Sequence, residues 1–552
     1  MNQMLKKNID YKKRIVIATV LAVVRLVLTN SQMMFILPFS APIDDDLYFS
    51  WAQNIVAGNW LGEYNYLTLS KYPFFGIYLA VVHKLGIPYL VANCLMWIAL
   101  AVLCVIAFAP VIKNNWMRLA LFTAVIYNPS TYAEHTLRVY RDSIFPILCV
   151  AFFVALAGWA LRLKKDIRHN IGYIITAGVA MGLAWISRED GYWLLPFGIA
   201  AITICIIYII IDKQLNKKLL RICCGAIPAV ITAVFVLTIC SINNKYYGVF
   251  TLSDFSDGAF ADSFGAMTTL SHEEWHPLIS VPEDVRMRMY KDCPSFRQFY
   301  QYIDQPGSKI KKGYSTRSLG DYKSGQLYWA IRRAANELGI YENRTKAESF
   351  WAQLATEVEA MRLVDSNALP QRSSVTPPIK IEYVPDVLTE GLHSIWFVLS
   401  WQDMTPYEMD LSDMTTGQIE VWETFLNEQS NYAAVENSHL PYHTPFQSIC
   451  YKVMEGITWI YRALTIPLLL LALWTVIKGF AAFKYQNFET QLMLFVIPGI
   501  LAMGIFRTFI IAFMEVAAFD IGTYAMYLGA VYPIVVLVAM LGLSLLKRIE
   551  KK

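Results

Sequence analysis

About ten apolar segments run through this chain, each near the roughly 20 residues that a helix needs to cross the hydrocarbon core of a bilayer. They fall at 14–38, 88–112, 117–135, 143–161, 171–187, 191–211, 222–242, 455–477, 490–512 and 521–546. A backbone in lipid must satisfy its hydrogen bonds internally, so such a chain becomes a bundle of helices. Composition agrees: 56% of the 552 residues are hydrophobic and 16% charged, with a mean hydropathy of +0.39, too apolar for a soluble protein of this size.

Loop charge tests the count, because Lys and Arg collect in alternate loops on the cytoplasmic side. The basic loops are the N-terminal tail with Lys6, Lys7, Lys12, Lys13 and Arg14; Lys113 with Arg118; Arg162, Lys164, Lys165 and Arg168; Lys213, Lys217, Lys218 and Arg221; Lys478 with Lys484; and Lys547, Arg548, Lys551 and Lys552. Ten spans put all of them on one side, with both termini cytoplasmic. The first segment is longer than a signal-peptide core and lacks a small-residue cleavage site, so it reads as an anchor. The net charge of +4 therefore reports topology before ligand, and no nucleic-acid partner is expected.

Two outer segments are too long to be connectors. In 39–87, Phe49, Gln53, Val56 and Trp60 share a helical face, and Pro73 to Val82 is apolar but too short to span. Both read as juxtamembrane helices. Residues 243–450 read as an extracytoplasmic soluble domain, α-rich or mixed, with an amphipathic helix through Phe350, Leu354, Val358 and Met361 and a turn at Thr376-Pro377-Pro378. The expected organisation is thus an N-terminal membrane module, 1–242, with seven spans; the outer domain, 243–450; and a C-terminal module, 451–552, with three. The expected fold class is an all-α polytopic membrane protein.

Ionisable residues near lipid mark function more often than elsewhere. The mixed clusters lie at the outer ends of the spans: Asp44-Asp45-Asp46; Glu134, Arg138, Arg141 and Asp142; Arg188, Glu189 and Asp190; and Arg507, Glu515 and Asp520. Adjacent carboxylates repel, so at least one of the triplet should have a raised pKa, which suits a general base. A helix N-cap is the plainer account of an Asp there. The outer arginines suit a bidentate grip on phosphate, although salt bridges within the same clusters would also explain them. No Walker A loop, GxGxxG, HExxH or GxSxG occurs. His272 and His276, flanking Glu273, Glu274 and Trp275, read as a solvated surface. The nine Cys form no CxxC, and the seven in or beside apolar runs read as core residues.

Asp44-Asp45-Asp46-Leu47-Tyr48, Gly58-Asn59-Trp60-Leu61-Gly62-Glu63-Tyr64-Asn65, Thr68-Leu69-Ser70-Lys71, Tyr140-Arg141-Asp142 and Ser187-Arg188-Glu189-Asp190-Gly191 resemble the GT-C superfamily of membrane glycosyltransferases, near its bacterial members of the polyprenyl- or dolichyl-phosphate-sugar-dependent protein mannosyltransferase type. The resemblance implies a polyprenyl-phosphate-linked sugar as donor and a glycan, lipid-linked or protein acceptor at the outer leaflet. It implies inversion at the anomeric carbon, with Asp44 or Asp45, or Asp46 given the triplet, as base. Lys71, Arg138, Arg141, Arg188 and Arg507 would contact the lipid phosphate, and Glu134, Asp142, Glu189 and Asp190 supply the second acidic site. A divalent cation, if used, would sit on Asp44, Asp45 and Asp142. The location implied is the plasma (inner) membrane. A transporter or lipid-linked-glycan flippase is the alternative, although transporters hold their charges near the midplane, whereas these crowd one interface.

Overall fold

The computed structural model describes residues 2–273, 276–371, 377, 379–406, 412–430, 444–518 and 524–549; Glu274, Trp275, Thr376, Pro378, Asp520, Lys551 and Lys552 lie outside them. The described residues are helical throughout, with three isolated bridges and no strand. Helix α1 (Asn2–Asn30) is followed by α2 (Leu47–Ala57) and α3 (Phe74–Leu85), both in the segment 39–87. Next come α4 (Tyr89–Ala107), α5 (Asn115–Ile126), the one-turn α6 (Glu134–Leu137), α7 (Phe145–Ala160), α8 (Ile171–Trp185), α9 (Leu195–Ile211) and α10 (Lys218–Tyr247). The late polar stretch holds α11 (Ala259–Met267), α12 (Glu283–Asp292), α13 (Pro294–Arg297), α14 (Tyr300–Ile303), α15 (Lys309–Tyr314), α16 (Ser324–Glu337), α17 (Arg344–Val364), α18 (Val384–Leu399) and α19 (Thr416–Leu426). Helices α20 (Pro445–Ala481), α21 (Phe488–Ala517), α22 (Tyr524–Tyr527) and α23 (Val531–Ile549) complete the fold.

Six of the described helical stretches are long and apolar enough to cross a membrane: Tyr89–Ala107, Arg141–Ala160, Gly191–Ile211, Lys218–Tyr247, Pro445–Ala481 and Phe488–Ala517. The other four segments expected to span coincide with α1, α5, α8 and α23. Three of these have short apolar runs, and α1 carries Lys13, Arg14 and Arg25. Arg25 is buried, and its guanidinium donates to the carbonyls of Ile126 (3.0 Å) and Thr131 (2.9 Å), so this charge fastens α1 to the end of α5. Helix α1 stops at Asn30, eight residues before the expected end of that segment. Beyond it the chain runs extended, with Phe35 bridging to Arg138 and Met34 to Ser430.

Helix α7 is the central rod, with every residue except Ala151 buried. Small residues let its neighbours approach closely, since helices in lipid gain contact mainly from packing. A Cβ on Gly178 or Gly182 of α8 would meet Ile231 or Phe235 of α10, and one on Gly542 of α23 would overlap Ala472 of α20.

The polar stretch divides by packing. Helices α11 to α17 close around Phe260, Phe299, Leu327, Ile331 and Trp351. Helix α17 buries Leu354 and Val358, with Phe350 and Met361 partly covered, as the amphipathic pattern expects. Helices α18 and α19 belong elsewhere. Phe397 and Val398 join the core of the membrane helices, while Trp422, Phe425 and Leu426 pack on α2 and α3. Phe49 stacks on Trp422 at 3.7 Å, so this part of α2 faces protein; Gln53, expected on the same face, is exposed, and Trp51 and Ala52 are buried.

Replacing Gly542 by Val should overpack the α20–α23 contact at a cost of roughly 1–3 kcal/mol. Thermal unfolding in detergent should show a lower Tm. Gly456→Ala, where a Cβ meets nothing within 4 Å, should leave Tm unchanged or raise it.

Candidate functional site

The acidic triplet lies in a π-helical turn, Pro42–Asp46, that leads into α2. Asp46 stands at the N-cap position of α2 but makes no side-chain cap bond, and it is exposed. The turn instead divides its carboxylates among different surroundings. Asp45 is fully buried. It accepts the Leu37 N–H at 2.9 Å and a bidentate grip from Arg138, with Nε to Oδ1 at 3.0 Å and Nη2 to Oδ1 at 2.6 Å. Burial pushes its carboxyl up to about 6, with Arg138 pulling the other way.

Asp44 is half-buried. Its Oδ1 takes an ion pair from Lys71 and a hydrogen bond from the Tyr140 hydroxyl at 3.1 Å, while Oδ2 has Arg138 Nη2 at 3.9 Å. Burial alone would raise the Asp44 carboxyl, but Lys71 and then Arg138 outweigh it and hold the group below its ordinary range. The Tyr140 ring stands between three cations: Lys71 Nζ lies 5.6 Å from its centroid, Arg138 4.8 Å and Arg141 5.5 Å.

The second half of the cluster is a chain of ion pairs. Arg141 meets Glu189 at 2.8 Å, and Arg188 joins Asp142 to Asp190. Arg507 of α21 reaches Asp190 at 2.5 Å. Burial would raise Asp190, yet Arg188 and Arg507 hold it well below its usual value. Ten of the twelve residues given a site role from the sequence thus converge, five cations against five carboxylates. Asp46 is exposed, and Glu134, half-buried at the start of α6, lies outside this set of ion pairs. The trio named for a cation is split: Asp44 and Asp45 face Lys71 and Arg138, and Asp142 faces Arg188. Among the described residues no group of three or more His, Cys, Asp or Glu stands in metal-ligating position.

Sequence reasoning missed the support of Lys71. Arg332 of α16 is fully buried, donates to the carbonyls of Tyr66 (2.8 Å) and Thr68 (3.5 Å), and pairs with Asp254 at 3.1 Å. Asp254 in turn donates its N–H to Leu69 O at 2.8 Å and pairs with Arg344 at 2.9 Å. Leu69 sits at φ +60°, a left-handed conformation that costs a branched residue energy unless its surroundings enforce it. Lys71 follows two residues later, and Trp329, one turn before Arg332, lies 5.9 Å from its ammonium. No spacing in the sequence links Arg332 to residues 66–71. The Tyr140 hydroxyl was visible beside Arg141 but carried no assigned role.

No family model and no curated protein matches this sequence. Two solved structures overlap with the chain, both of ArnT from Cupriavidus metallidurans. The apo crystal structure shows 13% identity and a TM-score of 0.29, covering 98% of this chain and 78% of that one. The structure bound to undecaprenyl phosphate shows 12% identity and a TM-score of 0.29, covering 97% and 78%. A likeness at that level assigns neither fold nor activity.

Two outcomes follow from this geometry. Arg138→Met leaves the Asp45 carboxylate buried without its cation, which costs roughly 3–5 kcal/mol; thermal unfolding should show a large loss that Asp45→Asn in the same chain partly restores. Arg332→Met should free two carbonyls of the 64–71 segment, and hydrogen exchange should rise there while the α20–α23 contact stays protected.

Proposed function

We propose that this chain is a membrane glycosyltransferase that moves a sugar from a polyprenyl-phosphate-linked donor to an acceptor hydroxyl at the outer leaflet, with inversion and with Asp44 as general base. The observation that carries the reading is the geometry at Asp44: Lys71 and the Tyr140 hydroxyl hold its Oδ1, while among the described residues its Oδ2 has no closer ion-pair partner than Arg138 at 3.9 Å. Asp45 is occupied by Arg138, and Asp46 is exposed outside the cluster. The motifs that resemble those of GT-C enzymes point to Asp44 or Asp45, and of these two only Asp44 is left with an oxygen not gripped by Arg138.

In the proposed step the acceptor oxygen forms a bond to the anomeric carbon while the bond from that carbon to the phosphate oxygen breaks. The acceptor proton passes to Asp44 Oδ2. The electron pair leaves with the lipid phosphate, whose charge is met by Arg138 and Arg141, the guanidinium groups that keep 12% and 11% of their side-chain surface open. Arg188 and Arg507, locked on Asp142 and Asp190, act by holding this wall of the cluster in place. A lipid carrier suits the topology expected from loop charge, because a nucleotide-sugar is cytosolic and the triplet faces the other side. On this reading the chain resides in the inner membrane with cytoplasmic termini.

Asp44→Asn should lower transfer from a defined lipid-linked sugar by about 10²–10⁴-fold while lipid-phosphate binding persists. Full activity in that variant would remove Asp44 as base. The pH profile carries a sign: Lys71 and Arg138 hold the Asp44 carboxyl low, so the base stays ionised as pH falls and the acid limb lies below the ordinary carboxylate pKa of about 3.9. Lys71→Met removes the strongest of the lowering interactions, and the acid limb of the residual activity should move to higher pH.

A further inference from the structure

Helix α18 lies in the stretch read from sequence as a soluble outer domain, yet its packing and its surface are those of a membrane element. Gly391 is seated so closely against the Phe509 ring of α21 that a Cβ there would overlap it. At the start of the helix, Tyr383 approaches the Phe513 ring, with centroids 6.4 Å apart. Just past its end, Trp401 donates its indole N–H to Thr465 Oγ1 of α20 at 2.7 Å, and Arg462 donates to the Trp401 carbonyl at 3.1 Å.

These contacts fix its level. Along α20 no charged residue stands between Arg462 and Lys478, and along α21 none stands between Glu489 and Arg507. Thr465 is three residues inside Arg462, and Phe509 and Phe513 are two and six residues beyond Arg507. The helix therefore bridges the two charge-free runs at the end where the ion-pair cluster sits. It packs along α21 there, with Tyr383 beside Phe513 and, two turns on, Gly391 against Phe509.

Its uncovered side carries an apolar stripe, bordered by the exposed Asp386, Thr389 and His393. Val384, Leu388, Leu392 and Trp396 follow one another at i, i+4 spacing, and they are 45%, 50%, 64% and 58% exposed. The opposite face, with Gly391, Ser394, Phe397 and Val398, is buried against the membrane helices. The exposed stripe continues onto the exposed apolar surface of α20 and α21, at Ile460, Leu464, Ile505 and Phe506. Trp396 and Trp459, both more than half exposed, stand where an aromatic belt forms at a membrane–water boundary.

We propose that α18 lies in the outer interface of the bilayer, with Val384, Leu388, Leu392 and Trp396 against lipid acyl chains, so that residues 381–404 are part of the membrane-embedded body. The inference does not depend on the chemistry assigned to Asp44.

The test uses the full chain in vesicles of phosphatidylcholine and phosphatidylglycerol, with the exposed Cys223 changed to Ser. Single cysteines at Leu388, Leu392 and Trp396 carry an environment-sensitive fluorophore. Leu470 on the apolar run of α20 serves as the lipid-facing reference, and Val364 on α17 as the aqueous one. Doxyl-labelled lipid should quench at the α18 positions several-fold more strongly than at Val364, approaching Leu470, and iodide should do the reverse. Iodide quenching equal to that at Val364 overturns the proposal. Shielding from both quenchers also overturns it, because it would show a protein partner on the stripe. Because a labelled position can disturb folding, the unaltered protein is also treated with a photoactivatable lipid and mapped by mass spectrometry. Adducts should fall on 384–396; adducts on α20 and α21 with none on α18 would contradict the proposal.

Discussion

The buried pair of Asp45 and Arg138 holds together the face of this protein on which the charged cluster lies. It joins the turn after the first helix to the segment between α6 and α7. The extended segment at Phe35 is stitched to the same segment, with Phe35 N–H donating to Leu137 O at 3.2 Å and Val139 N–H donating to Phe35 O at 3.1 Å. A carboxylate removed from water is tolerable only with a well-aligned cation and its remaining lone pairs satisfied, and Leu37 N–H supplies the latter. Once Asp45 is committed in this way, its neighbour is left with Oδ2 3.9 Å from Arg138. One adjacent residue braces the turn and the other is left open to chemistry.

That division explains how much of the site was legible. Charge clustered at one interface, and the resemblance in the flanking motifs, brought together Asp44, Lys71, Arg138, Arg141, Asp142, Arg188, Glu189, Asp190 and Arg507, which do meet in space. Carboxylates one residue apart have the same composition and nearly the same hydropathy, so nothing local could tell a bracing Asp45 from an open Asp44. The difference arises from Arg138, 93 residues away. Glu134 and Asp46 matched the charge pattern but stand apart from the ion pairs, because a sequence pattern reports side of membrane and not rotational position.

The helices were legible where apolar length decided the matter, as in α4, α10 and α21. They were less so where short runs, such as those of α5 and α8, borrow stability from neighbours. The late segment was hardest. Helix α17 announced itself by period, but α18 interrupts its apolar residues with Asp386, Glu390 and His393 and sits inside a long polar stretch, so it did not stand out as a span. Its place against α21 depends on Gly391 beneath the Phe509 ring and on Tyr383 beside Phe513. Arg332 was invisible for a related reason: a charged residue in an amphipathic helix looks solvated until the carbonyls of a distant loop are found around it. Through Arg332 and Asp254, the helical unit of α11 to α17 braces the loop that presents Lys71, so that unit and the acidic turn form one construction.

The central claim is a single displacement in which Asp44 takes the acceptor proton as the lipid phosphate departs. Its most direct test is the anomeric configuration of the product, read by nuclear magnetic resonance after transfer from a polyprenyl-phosphate-linked sugar of known configuration. The account predicts a product of opposite configuration to the donor. A product of retained configuration would require a covalent intermediate on the protein and would contradict it.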